Sequence, residues 1–159
     1  MNLAICGVGR LKAGPERQLA ERYLERAGKL AQRLGFSGPR VVEIAESRAR
    51  DETTRKHEEA VGLAAKSAGA LRIALDQRGQ NLTSAEFAEL LGKHRASGVK
   101  GITFIIGGAD GLAPEILEAA HQAMSFGAMT LPHQLVRIVL LEQIYRALTI
   151  QSGHPYHRA

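Results

Sequence analysis

Cysteine and tryptophan are almost missing from this chain. Its 159 residues include one cysteine, Cys6, no tryptophan, four phenylalanines and three tyrosines. A single cysteine excludes an internal disulfide and a cluster of cysteines around zinc, and it fits a reducing cytoplasm. So few aromatic rings argue against a platform on which single-stranded RNA bases stack. We therefore expect a cytoplasmic protein with an aliphatic core that includes Cys6.

Long uninterrupted apolar segments are also missing. The apolar stretches are too short or too interrupted to span a bilayer, and the chain does not begin with a charged segment followed by a long apolar one. We expect no membrane partner and no export. A chain of this length leaves no room for a second domain, so residues 1–159 are expected to form a single domain.

The charge balance is basic, with 21 Lys and Arg against 16 Asp and Glu and a net charge of +5. This excess favours polyanionic partners, and nucleic acid is the first candidate. Arg22, Arg26, Lys29 and Arg33 recur at helical spacing, opposite an apolar stripe. Such a row can follow phosphates. Glu25, four residues before Lys29, equally allows an ordinary solvated face with a local ion pair.

Apolar periodicity predicts strands that alternate with helices. Strands are expected over 2–8, 41–44, 71–75, 102–106 and 126–130, with a turn over 76–79. Helices are expected over 16–34, 50–68, 83–95, 114–123 and 132–149. Thr83 and Glu86 form a capping box, and Pro132 suits the start of the last helix. The alternation predicts an α/β fold with a mostly parallel sheet and helices on both faces.

Gly107, Gly108 and Gly111 follow the strand that is predicted to be the most buried. Glycine permits close approach of a backbone to a ligand. No Gly-Lys-Ser/Thr follows, so a P-loop is excluded. The earlier Gly7-Val8-Gly9 has Lys12 where a dinucleotide fingerprint needs a third glycine. On the pattern alone, a tight turn and a ligand-binding loop both remain open.

Motifs for a nucleophile or a metal are lacking. There is no Gly-x-Ser-x-Gly elbow, and the six histidines contain no His-Glu-x-x-His pattern. Pro155 between His154 and His157 favours an extended tail, so we predict no metal. Glu142 and Arg146 lie in an apolar helix and must pair, lie at an interface or face a site. Because that helix is apolar on too many sides for a monomer surface, we also predict a homodimer.

The last third of the chain contains several motifs in a characteristic order. They are Ile105-Ile106-Gly107-Gly108, Met129-Thr130-Leu131-Pro132-His133, Val136-Arg137, Glu142-Gln143-Ile144-Tyr145-Arg146-Ala147 and Pro155-Tyr156-His157. Together they resemble the RlmH family, small SPOUT-class methyltransferases that methylate a pseudouridine in large-subunit ribosomal RNA. The resemblance implies a SPOUT α/β knot with a deep C-terminal trefoil. It also implies S-adenosylmethionine as cofactor and methylation at the pseudouridine N3 atom, with the assembled ribosome as partner.

The same resemblance assigns the cofactor site residue by residue. The cofactor would be held by Leu75, Gly107 and the run Phe126-Gly127-Ala128-Met129-Thr130-Leu131. Gly127 departs from the family, because relatives commonly carry serine there. An adenine ring can lie among apolar side chains while backbone N–H and C=O groups bind its edges, so such a site suits this cofactor.

Near the target base, the resemblance places the polar residues of the last helix and of the tail. They are Glu142, Arg146, Tyr156 and His157, with Arg137 and Arg158 as candidates for phosphates. The sulfonium is already an activated methyl donor, so catalysis is mainly positioning and the removal of a proton. The general base stays open. His157 is favoured because a neutral imidazole accepts a proton near pH 7.

Two other functions remain open. One is a ribosome-binding or RNA-binding factor with a SPOUT-like fold and no methyl transfer. The other is a doubly wound nucleotide-binding enzyme that uses Gly107–Gly111 at a strand end. Titration with S-adenosylmethionine, ATP and a dinucleotide distinguishes all three, because each hypothesis expects a different ligand.

Overall fold

A five-stranded sheet forms the centre of the molecule in the computed structural model, which describes residues 1–158. The strands are β1 (Asn2–Val8), β2 (Ser37–Ile44), β3 (Leu71–Asn81), β4 (Gly101–Ile106) and β5 (Gln122–Ser125). They lie in the order β2-β1-β4-β3-β5, and every pairing is parallel. The prediction of a parallel sheet is thus confirmed. Ala159, the last residue of the expected domain, lies outside the described residues.

Helices cover both faces of this sheet, as the alternation of elements predicts. They are α1 (Pro15–Arg33), α2 (Glu52–Lys66), α3 (Ser84–Ala96), α4 (Pro114–Glu118) and α5 (His133–Ser152). On one face α5 packs against both α1 and α3, and on the other α2 packs against α4. Most of the apolar surface of α5 is therefore covered within its own chain, so apolarity alone does not require a second copy.

The two central strands bury both of their faces. In β1, Leu3 and Ile5 join the core beneath α1, α3 and α5, whereas Cys6 and Val8 join the core beneath α2 and α4. All six residues of β4 are buried. A strand that is covered on both faces has no polar side. This explains why the sequences of β1 and β4 are continuous apolar runs. Cys6 is a core residue, as predicted, and burial raises the pKa of its thiol.

Local capping signals also proved accurate. The Thr83 hydroxyl accepts from the Glu86 N–H at 3.2 Å, and the Glu86 carboxylate accepts from the Thr83 N–H at 2.7 Å. This reciprocal pair is the capping box that starts α3. The last helix begins directly after Pro132, again as predicted.

Three strand predictions and one helix prediction were wrong in extent or place. The predicted turn over 76–79 belongs to β3, whose pairing with β5 shifts register between Leu75 and Gln80. The helix expected to reach 123 ends at Glu118. The strand expected over 126–130 lies instead at Gln122–Ser125, and β2 begins four residues earlier than predicted, at Ser37. These strands lie at or beside a sheet edge, where pairing with a distant partner outweighs local propensity.

Gly79 of β3 lies directly against the backbone of β5. A Cβ at this position would lie 2.5 Å from the Met124 backbone nitrogen, closer than any real side chain tolerates. The glycine therefore permits the close approach of β5 to β3 and is not a turn residue.

Arg137 does not face phosphates, contrary to the prediction. Its side chain is only 1% exposed. Nη1 donates to the Glu43 carboxylate at 2.5 Å, and Nη2 donates to the Gly9 carbonyl oxygen at 3.0 Å. A buried guanidinium needs such partners to offset its desolvation. Arg137 thus joins the start of α5 to the ends of β1 and β2.

We expect Arg137→Leu to lower the free energy of unfolding by about 3 kcal/mol, because it leaves the partly buried Glu43 carboxylate without its partner. Urea unfolding followed by circular dichroism measures this change. Lys29→Gln is the control, since the Lys29–Glu25 ion pair is exposed at both ends and we expect no measurable change. Equal midpoints for the two variants contradict a structural role for Arg137.

Candidate active site

A cavity of about 820 Å³ opens beside the middle of β3, at the carboxyl ends of β4 and β5. Its wall combines the middle of β3, the loop after β4, and the chain from the end of β5 to the first turn of α5. The carboxyl ends of parallel strands meet at one sheet edge, where α/β proteins commonly bind ligands. The cavity is therefore the candidate ligand site.

The structure brings most of the predicted cofactor residues together in this wall. Seven of the eight line the cavity, namely Leu75, Gly107, Phe126, Gly127, Met129, Thr130 and Leu131. Ala128 does not line it, although it lies in the same loop between two residues that do. From Phe126 to Pro132 the chain is neither helix nor strand, so these peptide groups are not engaged in regular secondary structure.

The glycine loop is both a tight turn and a cavity wall. The Gly111 N–H donates to the Gly108 carbonyl at 3.1 Å, which closes the turn. A Cβ on Gly107 would lie 2.6 Å from the Gly111 carbonyl carbon. Gly107 is therefore required by the backbone of its own loop, before any ligand is considered.

Arg55 on α2 clamps this loop from outside. Its Nε and Nη2 donate to the two carboxylate oxygens of Asp110, at 2.7 and 3.1 Å. Nη1 donates to the carbonyls of Ala49 and Arg50, at 3.1 and 2.9 Å. Hydrogen bonding from Arg55 lowers the pKa of Asp110, so the carboxylate is charged at neutral pH. Sequence reasoning missed Arg55, because a single arginine on a polar helix carries no pattern that links it to a distant loop.

Asp76 and Arg78 form a second charged group in the wall. Arg78 Nε donates to the Asp76 carboxylate at 2.9 Å, and this hydrogen bond is the main reason for the lowered pKa of Asp76. Lys56 of α2 also lines the cavity. The wall thus offers charged groups beside the apolar surfaces of Phe126 and Leu131. The sequence interpretation of a turn over 76–79 gave these residues no role.

The four predicted catalytic residues form a second cluster, at α5 and the tail. Arg146 donates twice to one carboxylate oxygen of Glu142, at 2.6 and 3.0 Å, and the Tyr156 hydroxyl donates to the same oxygen at 3.1 Å. The Arg146 guanidinium lies 4.9 Å from the Tyr156 ring centroid. His157 Nδ1 lies 3.5 Å from Arg146 Nη1. The tail therefore folds back onto α5.

Burial raises the pKa of the Tyr156 phenol far above its usual value, and hydrogen bonds with Tyr23 and Glu142 add to the shift. Tyr156 is therefore a neutral donor at physiological pH and unsuited to act as a base. The hydrogen bond to Glu142 raises the pKa of Arg146, so this side chain stays cationic. Of the four residues, His157 retains a nitrogen suited to proton transfer.

The cavity and the cluster of predicted catalytic residues are separate within one chain. None of Glu142, Arg146, Tyr156 and His157 lines the cavity. Val136 of α5 does line it, and Arg146 lies ten residues further on, about 15 Å at the rise of an α-helix. His154 is exposed and accepts from the Tyr156 N–H at 3.2 Å, which helps to turn the tail.

Over residues 1–158, no helix is both long and apolar enough to cross a membrane. In the same part of the chain, no three His, Cys, Asp or Glu side chains are grouped as a metal ion would need.

Two solved structures share this fold at low sequence identity. A probable methyltransferase from Bordetella pertussis Tohama I aligns with a TM-score of 0.54 at 16% identity, covering 92% of this chain and 95% of that one. The tRNA (m1G37) methyltransferase from Aquifex aeolicus aligns with a TM-score of 0.54 at 14% identity, covering 100% and 76%. These similarities support the fold alone.

Sequence comparison identifies the family. The family model described as "Predicted SPOUT methyltransferase" matches residues 1–157. Proteins named ribosomal RNA large subunit methyltransferase H are 54% identical in Bradyrhizobium sp. (strain ORS 278) and 56% identical in Rhodopseudomonas palustris (strain TIE-1). The alignments cover all of this chain and 99% and 100% of those proteins. The chain therefore belongs to the SPOUT methyltransferase family, in the group of proteins named ribosomal RNA large subunit methyltransferase H.

Proposed function

We propose that this chain methylates the N3 atom of a pseudouridine in large-subunit ribosomal RNA, on assembled ribosomes in the cytoplasm, with S-adenosylmethionine as donor. The observation that carries the proposal is the cavity, whose wall contains seven of the eight residues expected to hold the cofactor. The names of the relatives give the substrate class, large-subunit ribosomal RNA. The whole chain acts as one methyltransferase domain.

The cavity suits the proposed cofactor in shape and chemistry. Phe126, Leu131 and Val136 offer apolar surface for an adenine ring, and the irregular chain before Pro132 offers peptide groups for its edges. A Cβ built at Gly127 meets nothing within 4 Å, so this part of the wall is open. When bound, the cofactor supplies an activated methyl group. The protein residues orient it, exclude water and accept the proton from the target nitrogen.

The trefoil knot belongs to the same proposal. The first turn of α5 and the glycine loop after β4 line one cavity, although 20 or more residues separate them along the chain. In the proposed arrangement, α5 is threaded behind the loop that carries Gly107. An experimental structure whose last helix can be drawn out without passing through a loop contradicts this.

A homodimer reconciles the separated groups. Methyl transfer requires the acceptor nitrogen within about 3–3.5 Å of the methyl carbon, yet Glu142 and Arg146 lie about 9 and about 15 Å along α5 from Val136 in the cavity wall. A tail from one subunit that reaches the cavity of its partner removes this gap. Met129 and Leu135, near the mouth, are 83% and 44% exposed, and a second copy would cover them. Leu141, in the middle of α5, is fully buried in its own chain. A substitution there would disturb the fold and would therefore not test this interface.

In the composite site each tail residue has a distinct role. Glu142 and Arg146 form a fixed ion pair that holds the Tyr156 ring and hydroxyl. Tyr156, as a neutral donor, binds the target base, and His157 accepts the N3 proton. Arg158 is exposed and is free to bind a phosphate of the RNA.

Gly107→Ala tests the cavity. The added Cβ displaces the Gly111 backbone, so we expect the affinity for S-adenosylmethionine to fall about tenfold or more by calorimetric titration. Gly69→Ala is the control, because Gly69 adopts a positive φ of 75° with no neighbouring atom within 4 Å. We expect it to lose stability but retain affinity. Unchanged affinity in Gly107→Ala removes this loop from the site, and absence of binding by the wild type contradicts the proposed function.

Deleting residues 155–159 tests the tail. The truncated chain should keep its circular dichroism spectrum, its dimer and its cofactor affinity, while methyl transfer to ribosomes falls by about 100-fold or more. Radioactive methyl incorporation measures the activity. Full activity of the truncated homodimer contradicts any role of the tail.

Mixing truncated chains with Gly107→Ala chains tests the composite site. One of the two sites in each heterodimer then has an intact cavity and an intact tail from the other subunit, so part of the activity should return. Verified heterodimers without recovery indicate that the tail acts within its own subunit.

A further inference from the structure

One face of α1 carries basic side chains, most of which form no ion pair within the described part of the chain. Four basic side chains, Arg22, Arg26, Lys29 and Arg33, are all exposed on it. They span 12 residues, about 16 Å along the helix. Lys29 is paired with Glu25 at 2.6 Å, as the spacing predicts. Within residues 1–158, the three arginines form no ion pair with any carboxylate. We name these four side chains the α1 basic face.

The α1 basic face is continuous with the catalytic cluster. The Arg26 guanidinium lies 6.0 Å from the Tyr145 ring centroid, and the Tyr145 and Tyr156 ring centroids are 4.7 Å apart. Tyr156 in turn lies under Arg146. A continuous row of two rings flanked by two cations, Arg26-Tyr145-Tyr156-Arg146, therefore runs from α1 to the tail. A ligand bound at the tail would therefore lie beside this row of side chains.

We propose that the α1 basic face binds phosphates of the ribosomal RNA strand that flanks the target nucleotide. The inference rests on the proposed function, because the tail is the reference point for the bound base. Non-specific cationic contacts of this kind fix the orientation and register of a nucleic acid, while base contacts supply specificity.

The chemistry of the face favours RNA over other anionic partners. Most apolar residues of α1 turn inwards, with Ala20, Ala27 and Ala31 buried and Leu24 and Leu30 packed on the core. Leu19 is 36% exposed, but it lies outside the span of the α1 basic face, one turn before Arg22. A membrane-binding helix needs apolar side chains to insert, and a protein interface needs an apolar or aromatic anchor at its centre. A row of arginines with no such anchor matches a phosphodiester backbone. The guanidinium fork also binds phosphate oxygens well.

The test compares two variants with the same change in net charge. In the first, Arg22→Gln, Arg26→Gln and Arg33→Gln remove the arginines of the α1 basic face. In the control, Arg40→Gln, Lys66→Gln and Lys100→Gln remove three exposed charges elsewhere. Lys66 lies on α2, and Arg40 is two residues from Val42, which packs beneath α2, so both lie on the opposite face of the sheet. Thermal unfolding of both variants checks that each is folded.

Ribosome affinity is measured over a series of KCl concentrations, with methyl transfer and S-adenosylmethionine titration alongside. Each phosphate contact contributes about 0.7 to the slope of log affinity against log salt for a single strand. The first variant should therefore have a slope about 2 units shallower and a KM raised about tenfold or more, with kcat and cofactor affinity retained. The control should keep the wild-type slope.

Each other outcome has a defined meaning. Equal slopes for the first variant and the wild type overturn the inference, and so does an equal loss of slope in both variants, which indicates net charge alone. A wild type that binds ribosomes but neither binds nor uses S-adenosylmethionine contradicts the proposed function instead. A first variant with normal ribosome affinity and a lower kcat also overturns the inference, because it indicates that Arg26 acts through the tail.

Discussion

The position of α5, whose first turn lines the candidate cavity, depends on the buried guanidinium of Arg137. This guanidinium connects the second turn of α5 to Glu43 at the end of β2 and to the Gly9 carbonyl after β1. A Cβ on Gly7 would lie 2.9 Å from Arg137 Nη2, so the glycine leaves room for the charge. The Gly7-Val8-Gly9 sequence is therefore explained by a buried ion pair and not by a dinucleotide. Because a buried charge without a partner is costly, this pair fixes where α5 begins.

A second ion pair, between Arg55 and Asp110, holds the opposite wall of the cavity in position. Arg55 binds Asp110 through two hydrogen bonds and reaches the carbonyls of the chain before α2 with the remaining nitrogen. The Arg137–Glu43 pair involves α5 on one face of the sheet, and the Arg55–Asp110 pair involves α2 on the other face. Between them, the glycine loop and the start of α5 are held in position before any ligand arrives. Preorganisation of this kind lowers the entropic cost of binding.

The helix α5 connects two regions with different chemistry. Its first turn contributes to a cavity whose wall includes the loops after β4 and β5, and its middle carries Glu142 and Arg146, which hold the folded-back tail. Such a cavity suits a cofactor that carries its own reactive group, because the protein has only to position it. A cluster of charged and aromatic side chains suits a nucleotide base. The separation of these regions along one helix is the physical basis of our proposal that two subunits share a site.

The sequence by itself determined the α/β class, the parallel sheet and the capping box of α3, because hydrophobic period and capping are local properties. The family resemblance also identified seven lining residues of the cavity and the four members of the tail cluster. Only the tertiary structure decided the extent of β3, the place of β5, the burial of Arg137 and the clamp by Arg55. Each of these depends on contacts between residues far apart in the chain. Arg55 and Asp110 are 55 positions apart, and Arg137 and Glu43 are 94 apart, a separation over which no local pattern specifies a partner.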